Sequence, residues 1–308
     1  MIETINKVVY KAFGLYIASE VLLPELAQAM SPDEPINVAI EITDLTDLWD
    51  QSGRQNDIYV VKQNFFMFQV ADTGIFAIQN GDTIQVSPIA GADEAKIRLF
   101  LLGSCMGALL MQRKILPLHG SAIAIDGKAY AFVGHSGAGK STLASAFINK
   151  GYQLLSDDVI AVTFTEAGIP MVMPSYPQQK LWQESLVEFG MESSNYQSIF
   201  QRETKFLVPV SDHFLAEPIP LAGVFELRPT DNDQVAMLPI EGLSRLSTLF
   251  CQTFRSSLLA QLQLLDWHFE TAVKVSKHIL MYQLHRPNTG FTAPQLTSLI
   301  LETVHEGE

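Results

Sequence analysis

The chain has 308 residues, of which 47% are hydrophobic and 17% charged, and its formal net charge is −13. This length allows two domains or one large one, and the composition is that of an ordinary globular protein with a sizeable core. The negative charge disfavours a surface that follows a phosphate backbone, so we expect no nucleic-acid partner. The uncharged and largely apolar stretch of residues 99–112 is too short to span a bilayer, which needs about 20 apolar residues, so we also expect no membrane association.

The cysteines and the N-terminus bear on the cellular compartment. Cys105 and Cys251 lie far apart and do not have the spacing of metal ligands, which favours reduced core residues, although a cross-link between them stays open. The first residues contain no secretory hydrophobic core. We therefore expect a cytoplasmic protein.

The first 90 residues predict strands and turns. Residues 8–17 form a strand or a hairpin bent at Gly14, and residues 36–42 alternate apolar and polar side chains, as a half-buried strand does. Asn80-Gly81 between two β-rich segments is a strong hairpin signal. No catalytic constellation occurs here, so we predict a small β-rich domain over residues 1–90 that serves packing or recognition. A long buried helix over residues 93–112 then opens a second domain, residues 91–308.

Residues 134–141 spell Gly-His-Ser-Gly-Ala-Gly-Lys-Ser, a complete phosphate-binding loop. Such a loop surrounds nucleotide phosphates with backbone N–H groups, and its lysine reaches the β- and γ-phosphates while its serine hydroxyl binds Mg²⁺. An apolar strand precedes the loop and a helical pattern follows it, which is the order that the chemistry needs. We therefore predict ATP and Mg²⁺ as ligands, with nucleotide contacts from Gly134, His135, Ser136, Gly137, Ala138, Gly139, Lys140, Ser141 and Thr142.

Two adjacent acids follow the loop helix. Asp157 and Asp158 come after the apolar segment 152–155, and in phosphate-loop folds the end of that strand lies near the phosphates. One carboxylate there can hold Mg²⁺ and a second can accept a proton from an attacking hydroxyl. Adjacent residues on a strand point to opposite sides, so we expect the two acids to have different roles. His119-Gly120, shortly before the loop, is a further candidate for the site. Helices are predicted near residues 178–189, 243–265 and 293–304.

These elements together resemble one kinase family. The segments Leu116–Gly120, Gly134–Ser141 and Gly151–Asp158 have the motifs and the spacing of the HPr serine kinase/phosphorylase family, over about residues 95–165. The resemblance implies an α/β fold, namely a P-loop kinase domain of the HPr kinase and phosphoenolpyruvate carboxykinase type. With the N-terminal segment, the predicted architecture is that domain preceded by a small β-rich domain. The family also suggests a homo-oligomer.

The resemblance also implies roles for single residues. Asp157 would be the general base on the acceptor hydroxyl, Asp158 would bind Mg²⁺ with Ser141, and His119 would lie near the phosphates. The chain departs from the family at His135, where HPr kinases have Asp, and it lacks their Glu-(Val/Ile)-Arg-Gly-x-Gly signature. It looks more like the related kinases that phosphorylate lasso-peptide precursors on a C-terminal serine, since residues 10–14 and 19–26 resemble the start of that branch.

Phosphoryl transfer needs positive charge beyond Lys140 and Mg²⁺. Arg202, Lys205 and Arg255 are the candidates in the C-terminal half, and we predict Lys205 and Arg255 to be catalytic groups. Residues 180–182, Lys-Leu-Trp, could frame the nucleotide or the acceptor.

The favoured function is an ATP-dependent kinase acting on a serine hydroxyl of a peptide or protein, with a lasso-peptide precursor as the leading acceptor. Three alternatives stay open: an HPr kinase/phosphorylase, a kinase for a small molecule, and an ATP-binding regulator that transfers no phosphate. A GTPase is disfavoured because Asn149-Lys150 is followed by Gly151-Tyr152 and not by a guanine-recognition motif. The choice among ATP, GTP and pyrophosphate as donor is not fixed by sequence.

Overall fold

The computed structural model describes residues 7–30, 34–52, 58–199 and 202–306, with the side chains of residues 202 and 203 outside the described part. The chain divides into two compact units. The first comprises Met1–Pro117 with Phe254–Phe269, and the second comprises Leu118–Thr253 with Glu270–Glu308. This division differs from the predicted boundary at residue 90.

The first unit is built on a mixed β-sheet with strand order β3-β1-β2-β4-β8-β7-β6-β5. Phe13 and Gly14 both have positive φ, 55° and 72°, and form the turn between β1 and β2. The predicted hairpin at Asn80-Gly81 is confirmed as the turn between β7 and β8. The elements are β1 (Val8–Ala12), β2 (Leu15–Ser19), β3 (Ala27–Gln28), β4 (Val38–Ile42), α1 (Thr46–Gln51), β5 (Tyr59–Lys62), β6 (Phe65–Val70), β7 (Gly74–Gln79), β8 (Thr83–Pro88), α2 (Glu94–Phe100) and α3 (Met106–Gln112).

The predicted helix over residues 93–112 belongs to this first unit. A π-helical turn, Leu101–Cys105, joins α2 to α3 without a break. The Phe100 ring packs near Phe68 and Phe76, with centroid distances of 6.1 and 5.7 Å. The Gln112 side chain also accepts a hydrogen bond from the N–H of Gly81. The helix therefore joins the β-rich unit because its apolar face packs on that sheet, which explains why the division falls after residue 112.

The second unit contains most of the remaining elements, and α7 and the first residues of α8 belong to the first unit. In chain order the elements are β9 (Leu116–Ile125), β10 (Lys128–Val133), α4 (Lys140–Ile148), β11 (Gln153–Phe164), β12 (Pro170–Met173), β13 (Gln178–Trp182), α5 (Gln183–Glu188), β14 (Gln197–Ile199), β15 (Arg202–Pro209), β16 (Ile219–Thr230), β17 (Ala236–Pro239), α6 (Leu243–Cys251), α7 (Leu258–Gln261), α8 (Leu265–His278), β18 (Leu280–Pro287) and α9 (Ala293–Glu306).

The main sheet of this unit has the order β10-β9-β11-β12-β16-β18-β17, and β10 also pairs with β16. β10, β16 and β18 run parallel, so their carboxyl ends meet at one edge of the sheet. Helices α4 and α9 cover one face, where Phe132, Phe147 and Phe225 form the centre of the core. A small separate sheet has the order β13-β15-β14. Loops at the carboxyl edge of parallel strands are the usual place for a ligand in α/β folds, and the predicted α/β class is confirmed.

Three expectations about elements are wrong in detail. Residues 178–182 form strand β13 rather than the start of a helix, because β15 supplies hydrogen-bond partners along the segment. The predicted helix over residues 243–265 is divided into α6, α7 and the start of α8, and Arg255 and Gln263 have positive φ at the interruptions. The strand before the acids does not end there but continues through them to Phe164. No helix in the described ranges is long and apolar enough to cross a membrane.

Candidate active site

The phosphate-binding loop connects β10 to α4, as the sequence predicts. Gly137 and Gly139 have φ of 84° and 101°, a region that strongly favours glycine. The Lys140 ammonium is buried beneath the loop and donates to the carbonyl oxygens of Gly134 and His135 at 2.9 and 3.0 Å. Burial holds the pKa of Lys140 below its ordinary value, although Asp157 and Asp158 act in the opposite direction. The lysine is therefore already inside the loop that would surround the phosphates.

Asp157 is held by three neutral donors. It is 4% exposed, and its Oδ1 accepts from the hydroxyls of Ser121 and Ser141 at 2.5 and 2.9 Å. Its Oδ2 accepts from the backbone N–H of Lys180 at 2.8 Å. The contact with Ser141 joins this carboxylate to the serine that the loop motif assigns to Mg²⁺.

Asp158 has a different environment. Its φ of 74° interrupts the regular strand, and the hydroxyl of Ser156 bridges the interruption by donating to the carbonyl of Val159 at 2.5 Å. The Oδ2 of Asp158 lies 2.6 Å from Lys180 Nζ. Burial alone would raise the pKa of Asp158, but the charges of Lys180 and Lys205 hold it well below its usual range. Asp158 is therefore a carboxylate paired with cations.

His119 contacts both the backbone and the side chain of Asp158. The His119 Nδ1 lies 3.0 Å from the carbonyl oxygen of Asp158 and 3.6 Å from Oδ1. The backbone N–H of His119 donates to the carbonyl of Gln252 at 2.7 Å, which fixes the strand at this point. Burial and the charge of Lys140 lower the pKa of His119. The imidazole is thus kept neutral near neutral pH, as a hydrogen-bonding group beside the acids.

The positive charge at the site comes from the small sheet. Lys180 and Lys205 lie on the paired strands β13 and β15. Lys205 Nζ lies 5.4 Å from the centroid of the Trp182 ring, a cation–π distance. The charge of Lys205 also acts on Lys140 and Asp158. Lys205, a candidate from the sequence, therefore lies at the site together with Lys180. The sequence did not predict that Lys180 contacts the two acids.

A cleft of about 390 Å³ opens beside the loop. Arg286, at the end of β18, donates from Nε to the carbonyl oxygen of Ala138 at 2.8 Å and supports the loop from this side. Sequence reasoning missed Arg286, because nothing local distinguishes it from a surface arginine. The cleft is lined by two aromatic residues, loop and helix residues and several polar groups, among them Gly137, Gly139, Thr142, Trp182, Arg286 and Phe291.

The predicted site residues divide between the two units. The loop residues, Asp157, Asp158, His119 and Lys205 lie in the second unit and are linked by the contacts above. Arg255 lies in the first unit, where its guanidinium donates to Ser104 at 2.6 Å, and its catalytic role stays a prediction. The side chain of Arg202 lies outside the described residues. The expectation that the two acids point to opposite sides does not hold. The positive φ of Asp158 breaks the strand alternation, and both carboxylates accept hydrogen bonds from Lys180.

The residues fit Mg²⁺ bound together with a nucleotide. Within the described ranges, no three His, Cys, Asp or Glu side chains converge as metal ligands. Mg²⁺ in kinases is held by one or two protein oxygens together with phosphate oxygens and water. The Ser141 hydroxyl and the Asp157 carboxylate, 2.9 Å apart, form such a partial ligand set.

Comparisons with known proteins agree with part of this interpretation. No protein-family model matches the chain. A 70-residue segment is 34% identical to an HPr kinase/phosphorylase from Mycoplasmopsis pulmonis (strain UAB CTIP), and the match covers 22% of this chain and 23% of that protein. A structural alignment with the HPr(Ser) kinase/phosphatase from Coxiella burnetii covers 62% of this chain and 97% of that one, with 15% identity and a TM-score of 0.32. The predicted likeness to HPr kinase/phosphorylase-related proteins is confirmed over the matched segment, and the lasso-peptide branch stays a prediction.

Proposed function

We propose that this protein is an ATP-dependent kinase that transfers the γ-phosphate to a serine hydroxyl of a peptide or protein, with a lasso-peptide precursor as the leading acceptor. One observation carries the proposal: a phosphate-binding loop and two adjacent carboxylates meet, and the carboxylates have different partners. Asp157 contacts the loop serine, and Asp158 contacts Lys180 and His119. A protein that only binds nucleotide has no use for a second acid of this kind.

The contacts support a division of roles opposite to the one that the family resemblance implies. Asp157 shares a hydrogen bond with Ser141, so we assign these two side chains to Mg²⁺. Asp158 is not part of that bond and its side chain is 23% exposed, so we assign it to the acceptor hydroxyl.

The chain's own residues would act as follows. Lys140 would exchange its two loop carbonyls for phosphate oxygens, and the loop N–H groups would hold the remaining phosphate charge. Bound Mg²⁺ would neutralise charge on the β- and γ-phosphates. Asp158 would orient the serine hydroxyl and take its proton as the oxygen–phosphorus bond forms. His119 would keep the Asp158 backbone in place through its 3.0 Å contact.

The cleft beside the loop is suited to the nucleoside end of the donor. Thr142 follows the serine of the loop and lines the cleft, and Trp182 and Phe291 contribute aromatic surface to it. Nucleotide pockets are commonly lined by apolar and aromatic groups with a few polar ones. We therefore place the base and ribose of ATP there, with the phosphates directed to Lys140.

HPr is the second candidate acceptor. The matched relative is named HPr kinase/phosphorylase, and this supports phosphorylation of HPr even though the Glu-(Val/Ile)-Arg-Gly-x-Gly signature is missing. The match spans less than a quarter of that relative, so activity, acceptor and partners, including a homo-oligomer and a cytoplasmic location, are proposals for this chain.

The proposal is tested by intact-mass analysis. The protein is incubated with Mg²⁺, ATP, a lasso-type precursor peptide and HPr in one mixture, and each component is weighed. A gain of one phosphate, about 80 Da, on the peptide supports the proposed acceptor, and a gain on HPr alone supports the second one. If neither gains mass while ATP binds, the protein is not a kinase for these acceptors and the small-molecule kinase or the regulator is favoured.

The division of roles is tested by calorimetric ATP binding at increasing Mg²⁺ concentration, together with phosphate transfer measured by the mass assay. Asp157→Asn should raise the Mg²⁺ concentration needed for half-maximal ATP binding. Asp158→Asn should leave that concentration and the ATP affinity within about threefold of wild type and lower transfer by at least roughly 100-fold. The reverse pattern would restore the allocation that the family resemblance implies.

A further inference from the structure

One residue, Lys180, contacts both acids of the site. Its backbone N–H donates to Asp157 Oδ2 at 2.8 Å, and its ammonium donates to Asp158 Oδ2 at 2.6 Å. The strand β13 thus places one lysine between the carboxylate assigned to Mg²⁺ and the carboxylate assigned to the acceptor.

The position of Lys180 is fixed by its neighbour in the chain. The Gln179 amide donates to the carbonyl of Ser141 at 3.3 Å, and its oxygen accepts from the hydroxyl of Ser145 at 2.8 Å. Both serines lie on α4, the helix that the phosphate-binding loop opens. Because the side chain of Gln179 is bonded to this helix, the adjacent Lys180 is held in place relative to the phosphate site, which is the preorganisation that electrostatic catalysis needs.

The burial of Lys180 favours a functional role over a surface ion pair. The residue is 8% exposed, and removing an ammonium from water is costly unless it is paired. The Asp158 carboxylate, 2.6 Å from the ammonium, supplies that partner. The lysine therefore stays charged inside the site. An ammonium carries three N–H donors, so its bond to Asp158 leaves two for other acceptors.

We propose that the Lys180 ammonium bridges Asp158 and the transferred phosphoryl group, and so stabilises the charge of the transition state from the acceptor side. This inference rests on the proposed kinase function and names a catalytic residue for it. In the step, the serine oxygen forms a bond to the γ-phosphorus and gives its proton to Asp158. The bond between that phosphorus and the β,γ-bridging oxygen breaks, and its electron pair leaves with ADP. Lys180 remains protonated throughout.

A residue that only supports the fold would behave differently on substitution. Lys180→Met keeps the length and apolar stem of the side chain and removes the charge, and Lys180→Arg keeps the charge. Lys150, exposed at the end of α4, gives the matched control, because Lys150→Met removes the same charge away from the site. Urea unfolding of each variant reports on the fold independently of binding.

The deciding measurement compares ground-state and transition-state ligands. Isothermal calorimetry gives the affinity of each protein for Mg·ADP alone and for Mg·ADP with aluminium fluoride, which mimics the phosphoryl group during transfer. Hydrolysis of ATP, in which water accepts the phosphoryl group, is followed in parallel and needs no peptide acceptor.

For Lys180→Met we expect an affinity for Mg·ADP alone within about threefold of wild type. The increase in affinity that aluminium fluoride causes should be roughly 100-fold smaller than in wild type. Lys180→Arg should recover part of that gain, and Lys150→Met should match wild type. Equal gains in wild type and Lys180→Met would overturn the inference and leave the kinase proposal intact. If the wild-type protein does not bind Mg·ADP, both the kinase proposal and the inference about Lys180 are overturned. If aluminium fluoride does not increase the affinity of wild type for Mg·ADP, the inference about Lys180 is overturned.

Discussion

The His119-Gly120 pair offers a prediction about how the backbone builds the site. Gly120 lies on β9 and is paired with Val133, the last residue before the phosphate-binding loop. A Cβ at Gly120 would lie 2.2 Å from the carbonyl oxygen of Phe132 and 3.2 Å from Ile160 Cδ1. The first of these atoms belongs to the backbone and cannot rotate away, so we predict that Gly120→Ala destabilises the second unit.

The magnitude follows from the distance. Bringing the new carbon to an ordinary contact of at least about 3.2 Å requires a separation of β9 and β10 of about 1 Å, since dispersion contacts are optimal only above about 3.5 Å. This movement weakens one or two ladder hydrogen bonds, each worth about 1 kcal/mol, and adds the cost of an overpacked core, about 1–3 kcal/mol. We expect the free energy of unfolding to fall by about 2–5 kcal/mol.

Urea unfolding followed by far-UV circular dichroism measures this loss. The urea concentration at the midpoint should fall, while the dependence of the unfolding free energy on urea concentration stays unchanged. Gly168→Ala is the control, because Gly168 has a φ of 80° and a methyl group added there would meet no neighbouring atom within 4 Å. The cost at Gly168 is therefore backbone strain alone, about 1–2 kcal/mol. A Gly120→Ala protein that unfolds at the wild-type midpoint would show that β9 and β10 separate freely and would refute the steric argument.

Three further predictions concern the charged groups of the site. Lys140→Met should weaken Mg·ATP binding by roughly 10- to 100-fold, the worth of one or two charge-assisted hydrogen bonds, and calorimetry that gives the wild-type affinity would contradict the loop assignment. Burial and Lys140 lower the pKa of His119 in the folded state, so the unfolded state binds more protons and the free energy of unfolding falls as pH drops through about 6.5. In His119→Gln the urea midpoint should therefore change less between about pH 7.5 and 5.5 than in wild type. The same pH dependence of the midpoint in both proteins would show that another group is responsible. Arg286→Met should weaken binding of a fluorescent ATP analogue by about tenfold through loss of one charged contact. The control is Arg228→Met, which should not weaken binding, because the Arg228 side chain is 55% exposed. Equal losses of affinity in the two variants would show that Arg286 does not contact the nucleotide.

Sequence reasoning predicted the parts of the site that are local in the chain. The strand, glycine loop and helix around Gly134–Ser141 depend on backbone chemistry within about twenty residues, so the pattern alone determines them. The same holds for the hairpin at Asn80-Gly81, where the turn residues define the connection. At Gly14 the sequence left a strand and a hairpin open, and the structure has the hairpin.

The missed features depend on pairings between distant segments. Lys180 reaches the acids only because β13 pairs with β15 and lies against β11, and a helical pattern in residues 178–189 concealed that strand. Arg286 reaches the loop because β18 runs parallel to β16 beside it. The positive φ of Asp158 is stabilised by Ser156, which no periodicity rule detects, and it turns both acids toward one region. Local propensity cannot report such tertiary effects.

The different partners of the two acids bear on which of them can bind a metal. Asp157 is held by two hydroxyls and a backbone N–H, and neutral donors of this kind do not repel a cation. Asp158 is held by the Lys180 ammonium at 2.6 Å, and a divalent ion on that carboxylate would lie close to a like charge in a partly buried site, where repulsion is strong. Metal binding at Asp158 would therefore require Lys180 to leave a bond that its burial depends on. Binding at Asp157 requires no such displacement, and the same lysine remains available to the transferred phosphoryl group.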